Sequence, residues 1–240
     1  MVPLVDVTGL TIQYGQVSAV KDISFTVESG QVVGLIGGNG AGKSSTLRAV
    51  AGVNPPTFGS IHIRGRDLSD PAQAAQAHRV TGYCPDVGGL IPRATIREHL
   101  ALALAFRHHT DLWPQALGLV EQFGLLYALD RTVAGFSHGE CRRLSVVLAG
   151  VTSREVLILD EPFDGVDPLG VEATLSLVSE ASAAGVGVIV STHLLSLLTA
   201  CADDVVVMAA GNLVDRGSVD LFKGDEGAAR YTALLRGALS

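Results

Sequence analysis

The sequence predicts an α/β protein. Its parallel sheet carries a phosphate-binding loop, an antiparallel β region precedes that sheet, and a helical insert interrupts it. Three observations predict this. The run Gly37-Gly38-Asn39-Gly40-Ala41-Gly42-Lys43-Ser44-Ser45 lies between an apolar stretch at 32–36 and a helical pattern at 44–50. Such glycines let the backbone curl several N–H groups around one anion, and the following helix dipole adds to the attraction. After residue 150, short apolar runs alternate with helical patterns, the mark of βαβ units and a parallel sheet. Between about 85 and 150 the pattern is helical throughout.

The elements follow in order. Val5, Val7, Leu10 and Ile12 read as a strand that turns at Tyr14-Gly15-Gln16. Ile23, Phe25 and Val27 alternate as in a half-buried second strand, and residues 59–64 form another with Ile61 and Ile63 on one face. In the insert, Thr95 and Glu98 make a capping box ahead of Leu100, Leu102, Leu104 and Phe106. Asp111 opens a further helix, with Pro114 tolerated in its first turn, and residues 137–149 form a third. Strands are expected at 156–159, 186–190 and 205–208, helices at 169–183 and 194–200, a hairpin partner at 212–214 and a last helix at 228–239.

Composition narrows the function classes. The chain has 240 residues, 48% of them hydrophobic and 17% charged, enough apolar material for one α/β core with a smaller subdomain. A net charge of −7 disfavours sequence-independent nucleic-acid binding, which needs a basic face. No apolar run reaches the length of a membrane span, and the N-terminus carries no signal-peptide pattern, so a cytoplasmic protein is expected. Cys84, Cys141 and Cys201 form no CxxC pair and read as reduced thiols. His108-His109 near His99 reads as a solvated helix end rather than a metal site.

Several residues carry chemistry in this context. Lys43 suits the β- and γ-phosphates of a nucleotide, and the Ser44 hydroxyl suits Mg²⁺. Asp160-Glu161 follows the apolar run at 156–159. Asp160 is suited to holding Mg²⁺ through water and Glu161 to activating water as a general base, although an acid pair capping a helix has the same pattern. Ser137-His138-Gly139-Glu140 opens a helix, either as an anion site or as a capping box, and the two are compatible. His193, after a strand, suits a γ-phosphate or simply a loop; Tyr14 suits an adenine ring or simply a turn.

The order Tyr14, glycine loop, helical insert, Ser137-His138-Gly139-Glu140, Leu159-Asp160-Glu161-Pro162, Gly165-Val166-Asp167-Pro168, His193 resembles the nucleotide-binding subunit of ABC transporters over essentially the whole chain. The resemblance implies a P-loop NTPase with a RecA-like parallel core, an antiparallel β subdomain and an inserted α-helical subdomain. It divides one ABC ATPase domain into a core at 1–86 and 151–240 and a helical part at about 87–150. It implies that Tyr14 stacks on adenine and that Gly37, Gly38, Asn39, Gly40, Ala41, Gly42, Lys43, Ser44 and Ser45 form Walker A. Ser44, Asp160 and Asp86 then hold Mg²⁺, with Glu161 and His193 as the catalytic carboxylate and switch histidine. Ser137, His138, Gly139 and Glu140 stand at the family signature, with Arg143 matching the arginine after it. With Asp167 of the D-loop, the signature contacts ATP on a second subunit.

The implied cofactors are ATP and Mg²⁺. The implied partners are a separate transmembrane permease and a second, identical or homologous nucleotide-binding subunit packed head to tail, with no nucleic acid, at the cytoplasmic face of the cell membrane. Two motifs depart from the family pattern. His138 and Glu140 replace a glycine and a glutamine of the signature, and Asp86 stands in place of the Q-loop glutamine. Gly82-Tyr83-Cys84-Pro85 and Arg97-Glu98-His99-Leu100 resemble the ABC-2 and ABCA-like branch. The expected function is therefore the ATP-hydrolysing motor of an ABC-2-type exporter. The alternatives are a catalytically weak, nucleotide-gated partner in a heterodimer, motivated by Asp86 and His138, and a soluble ABC ATPase acting on ribosomes or DNA. The acidic charge and the lack of a tandem domain or long coiled coil disfavour the last.

Overall fold

The computed structural model describes residues 2–239. Strands β1 (Val5–Tyr14) and β2 (Val17–Val27) form an antiparallel hairpin. Val5 and Val7 face the core at odd positions, Leu10 and Ile12 at even ones. A register shift between Val7 and Leu10 reconciles the two, and Gly9 sits there at φ 60°, where a side chain would be strained. Strand β3 (Val32–Ile36) is buried at every position, as a central parallel strand must be. The glycine loop then leads into α1 (Lys43–Val50). Strands β4 (Phe58–Ile63) and β5 (Arg66–Asp67) complete a four-stranded sheet in the order β2-β1-β4-β5.

Next come α2 (Pro71–Val80), capped by the Asp70 side chain, and β6 (Thr81–Cys84). Neither stands out in the sequence: α2 buries only Ala77, and β6 is four residues long. Helices α3 (Ile96–Phe106), α4 (Trp113–Gln122) and α5 (His138–Thr152) follow with no intervening strand. Both expected capping boxes form, at Thr95/Glu98 and Ser137/Glu140. The helix expected from Asp111 begins at Trp113, after a single 3-10 turn over Thr110–Leu112. Along α3 the 3.6-residue period buries Ile96, Leu100 and Leu104, while Leu102 and Phe106 face outward.

His99 corrects the expectation of a solvated histidine cluster. It is buried in α3, with Nε2 accepting the Ile91 N–H at 2.8 Å and Nδ1 at 2.7 Å from the Thr95 carbonyl. It lies on the inward face beside Leu100, and the two backbone groups satisfy both ring nitrogens.

The chain then alternates: β7 (Val156–Asp160), α6 (Pro168–Ala183), β8 (Gly187–Thr192), α7 (Leu195–Thr199), β9 (Asp204–Ala209), β10 (Asn212–Ser218) and α8 (Gly224–Leu239). The six-stranded sheet runs β10-β9-β3-β8-β7-β6, with β10 antiparallel to β9 and the other pairs parallel. Strand β8 therefore separates β3 from β7. Ile36 lies beside Thr192, and Asp160 beside Ser191, so three strand ends meet at one edge of the sheet. Ligands of open α/β sheets bind outside this carboxyl edge.

Candidate active site

The loop after β3 begins the site. Gly42, at φ 103°, is the N-cap of α1, and no side chain caps that helix. The first-turn N–H groups of α1 are thus left to an external anion. Lys43 is folded back beneath the loop, its Nζ 2.8 Å from the Gly37 carbonyl and 3.2 Å from Glu161 Oε1.

Glu161 follows β7 with φ 47°, a strained conformation for a non-glycine residue. Its N–H donates to Ser191 Oγ at 3.0 Å. Its Oε2 lies 3.1 Å from His193 Nδ1 while Oε1 meets Lys43, so each carboxylate oxygen has its own partner. His193 is half exposed and Glu161 nearly buried.

Asp160 is fully buried. Its Oδ1 accepts the Ser191 hydroxyl at 2.6 Å and the Ser44 hydroxyl at 3.1 Å. Its Oδ2 is buried without a partner. Burial pushes the Asp160 carboxyl up, against the hydrogen bonds from Ser191 and Ser44, which pull it down. A buried anion with one unmatched oxygen beside a serine hydroxyl fits a hard cation such as Mg²⁺, which takes oxygen ligands and keeps several waters. Among the described residues no three His, Cys, Asp or Glu side chains cluster as an all-protein metal cage.

Tyr14, Val17, residues 39–45, Asp86 and Glu161 line one cleft of about 720 Å³. Tyr14 is half exposed at its mouth, its hydroxyl 3.3 Å from Asn54 Nδ2. Ala210 and Gly211, at the β9–β10 turn, line the same cleft, and Gly211 N–H donates to the Ala41 carbonyl at 3.1 Å. The sequence reading missed this support, because the turn lies about 170 residues from the loop it braces.

Asp86 reaches the cleft, but its Oδ1 is 3.2 Å from Arg142 Nη2. The buried Arg142 guanidinium also donates to the carbonyls of Pro85 and Asp86, and reaches the Asp160 carbonyl at 3.4 Å. Arg142 was also missed: next to Arg143 it looks like one of two charges on a helix, and only its burial separates them.

Ser137, His138, Gly139, Glu140 and Asp167 do not line this cleft. Ser137 and Glu140 cap α5, and His138 Nε2 lies 3.6 Å from Asp164 Oδ2. Asp167 caps α6 through the Gly170 N–H at 2.8 Å and lies 3.5 Å from Arg143 Nη1.

Comparison with known proteins places the chain beside a family model, three relatives and a solved structure. Residues 20–164 match the family model described as ABC transporter. The chain is 33% identical over 218 residues to the ABC-type transporter ATP-binding protein EcsA of Bacillus subtilis, covering 90% of this chain and 87% of that protein. It is 32% identical over 222 residues to the lipopolysaccharide export system ATP-binding protein LptB of Haemophilus influenzae, covering 90% and 91%. It is also 35% identical to human ATP-binding cassette sub-family A member 6, matching 85% of this chain but 12% of that longer protein. A solved structure described as the ATP binding subunit of an ABC transporter superposes with a TM-score of 0.85 at 32% identity, covering 98% of this chain and 96% of that one.

Proposed function

This chain belongs to the ABC transporter family as an ATP-binding subunit and an ATPase, and from that premise we propose that it drives an ABC-2-type exporter. One relative supports export, being named as part of a lipopolysaccharide export system, and another, named as a sub-family A cassette, supports the ABCA-like branch. The motor works with a separate permease and a second nucleotide-binding subunit, at the cytoplasmic face of the membrane. No described helix is long and apolar enough to cross a membrane.

The observation that carries the mechanism is the division of Glu161 between Lys43 and His193. In the proposed cycle ATP enters the cleft with its adenine on Tyr14 and its phosphates on the N–H groups of 37–45. Ser44 and Asp160 would hold Mg²⁺, which would supply positive charge to shield the phosphate oxygens. Lys43 turns from Glu161 to the γ-phosphate, because a phosphate carries more charge than the carboxylate it replaces. Oε1 of Glu161 is thereby freed to take a proton from the attacking water, while His193 keeps Oε2 in place. Nucleotide arrival and release of the base are one event. Ser137 and Gly139 approach the same nucleotide from the second subunit, head to tail.

The test is to purify this chain with candidate permeases and measure ATPase activity of each complex with and without Mg²⁺. Turnover that requires a permease and Mg²⁺ is the expected result. Equal turnover of the chain alone and of every complex argues against a transport motor.

A second reading, a weak gating subunit paired with a more active one, is favoured by the engagement of Asp86 with Arg142. It predicts that Asp86→Gln raises turnover at this subunit's own cleft and His138→Gly at the cleft of its partner. If neither substitution raises turnover in the assembled complex, that reading is lost.

A further inference from the structure

Glu140 is an awkward residue for the position it holds. It sits in the first turn of α5, an end whose N–H groups and dipole attract anions. In the head-to-tail dimer proposed above, that end receives the γ-phosphate bound by the second subunit. A bare carboxylate there cancels the attraction and repels the phosphate.

The structure surrounds this carboxylate with donors. Glu140 Oε2 accepts the Ser137 N–H at 2.7 Å, and Oε1 accepts the Tyr127 hydroxyl. Arg131 Nη1 lies 4.0 Å from Oε1. The same guanidinium stacks over the rings of Tyr127 and Phe136, at 5.8 and 5.5 Å from their centroids. These donors, the Tyr127 hydroxyl foremost, hold the Glu140 carboxyl below its ordinary range, so it remains ionised. Tyr127 is 67% exposed, so core burial does not account for its place. Its specific contacts are with Glu140 and Arg131.

We propose that Tyr127 and Arg131 are positioning residues that pin the Glu140 carboxylate in its cap and offset its charge, leaving the N-terminus of α5 attractive to the γ-phosphate of ATP on the second subunit. The inference rests on the reading of 137–140 as a contact made in trans. Neither residue touches the nucleotide; both act through Glu140.

The test uses the full chain carrying Glu161→Gln, in which slow hydrolysis lets ATP-induced dimers accumulate, followed by analytical ultracentrifugation across an ATP titration. Tyr127→Phe should raise the ATP concentration for half-maximal dimerisation by about tenfold, as expected for losing one charged hydrogen bond, and Arg131→Gln by about twofold to fivefold, as expected for an exposed ion pair. The shift should shrink at high salt, which screens the exposed charge. Adding Glu140→Gln, which keeps the cap but removes the charge, should restore dimerisation in both.

A scaffold role predicts the opposite, because Glu140→Gln would then leave the defect in place or deepen it. Failure of rescue, or unchanged dimerisation in Tyr127→Phe and Arg131→Gln, overturns the inference. Ser137→Ala and Gly139→Asp separate this from failure of the dimer reading. If they abolish dimerisation while the Tyr127 and Arg131 variants do not, the inference alone falls. If they too leave dimerisation intact, the contact in trans falls and the inference with it.

Discussion

Glu161→Gln lowers ATP hydrolysis by about 10²- to 10⁴-fold, the range for loss of a general base, while ATP still binds. The amide cannot accept the water's proton, but it preserves the size of the side chain and its contact with His193. The nucleotide-free protein should respond in a second way. Lys43 is 6% exposed and Glu161 12%, so the substitution leaves a nearly buried ammonium without its counter-charge. Lys43 keeps the Gly37 and Gly38 carbonyls, which limits the loss to on the order of 2 kcal/mol, below the value for an orphaned buried ion. Addition of ATP should more than recover it, because Lys43 then meets phosphate with no carboxylate competing. Calorimetry with and without ATP, alongside steady-state turnover, measures both effects. Hydrolysis near the native rate would remove Glu161 as the base. A nucleotide-free melting temperature equal to native would mean the Lys43 contact contributes nothing.

Asp160→Asn is expected to abolish turnover as well, with the opposite sign on the nucleotide-free protein. Burial raises the folded-state pKa of Asp160 above its unfolded value, so holding the anion inside costs stability at neutral pH. That cost is absent below the unfolded pKa and sets in as pH rises through it. Asparagine keeps an oxygen for the Ser44 and Ser191 hydroxyls and removes the buried charge. The nucleotide-free variant should melt no lower than native, and about 2–4 °C higher if 1 kcal/mol is regained. The extra stabilisation by Mg²⁺ over ATP alone should vanish, since the unmatched Oδ2 is the atom suited to the cation's shell. Thermal melts with nothing, ATP, and ATP plus Mg²⁺ give the answer. An unchanged Mg²⁺ increment would exclude Asp160 from the cation site. Together the two variants separate adjacent carboxylates that look alike in sequence.

The local features were legible because their physics is local. Alternation along β2, the uninterrupted apolar run of β3, and the capping boxes at Thr95 and Ser137 each depend on residues within one turn or a few strand positions. So does the glycine loop, whose backbone must curl wherever it is placed. The weak elements were those whose stability comes from elsewhere: α2 with one buried residue, and β6, ordered by pairing with β7. His99 misled because adjacent histidines suggest solvent, whereas helical phase decides which one turns inward.

By itself the sequence determined the α/β class, the phosphate loop, the candidate chemistry of Lys43, Asp160, Glu161 and His193, and the family resemblance. Only the tertiary structure decided which of these groups touch. The order β3-β8-β7 brings together side chains more than a hundred residues apart, and strand order depends on how crossover helices pack against the sheet rather than on any strand's own residues. That packing divides Glu161 between Lys43 and His193, leaves one oxygen of Asp160 unmatched, and sets the Ser191 hydroxyl between the Asp160 carboxylate and the Glu161 backbone N–H. It also buries Arg142 against Asp86 and sets Tyr127 beside Glu140. Hydrogen bonds and ion pairs fall off within a few ångströms, so such contacts exist only once the chain has folded.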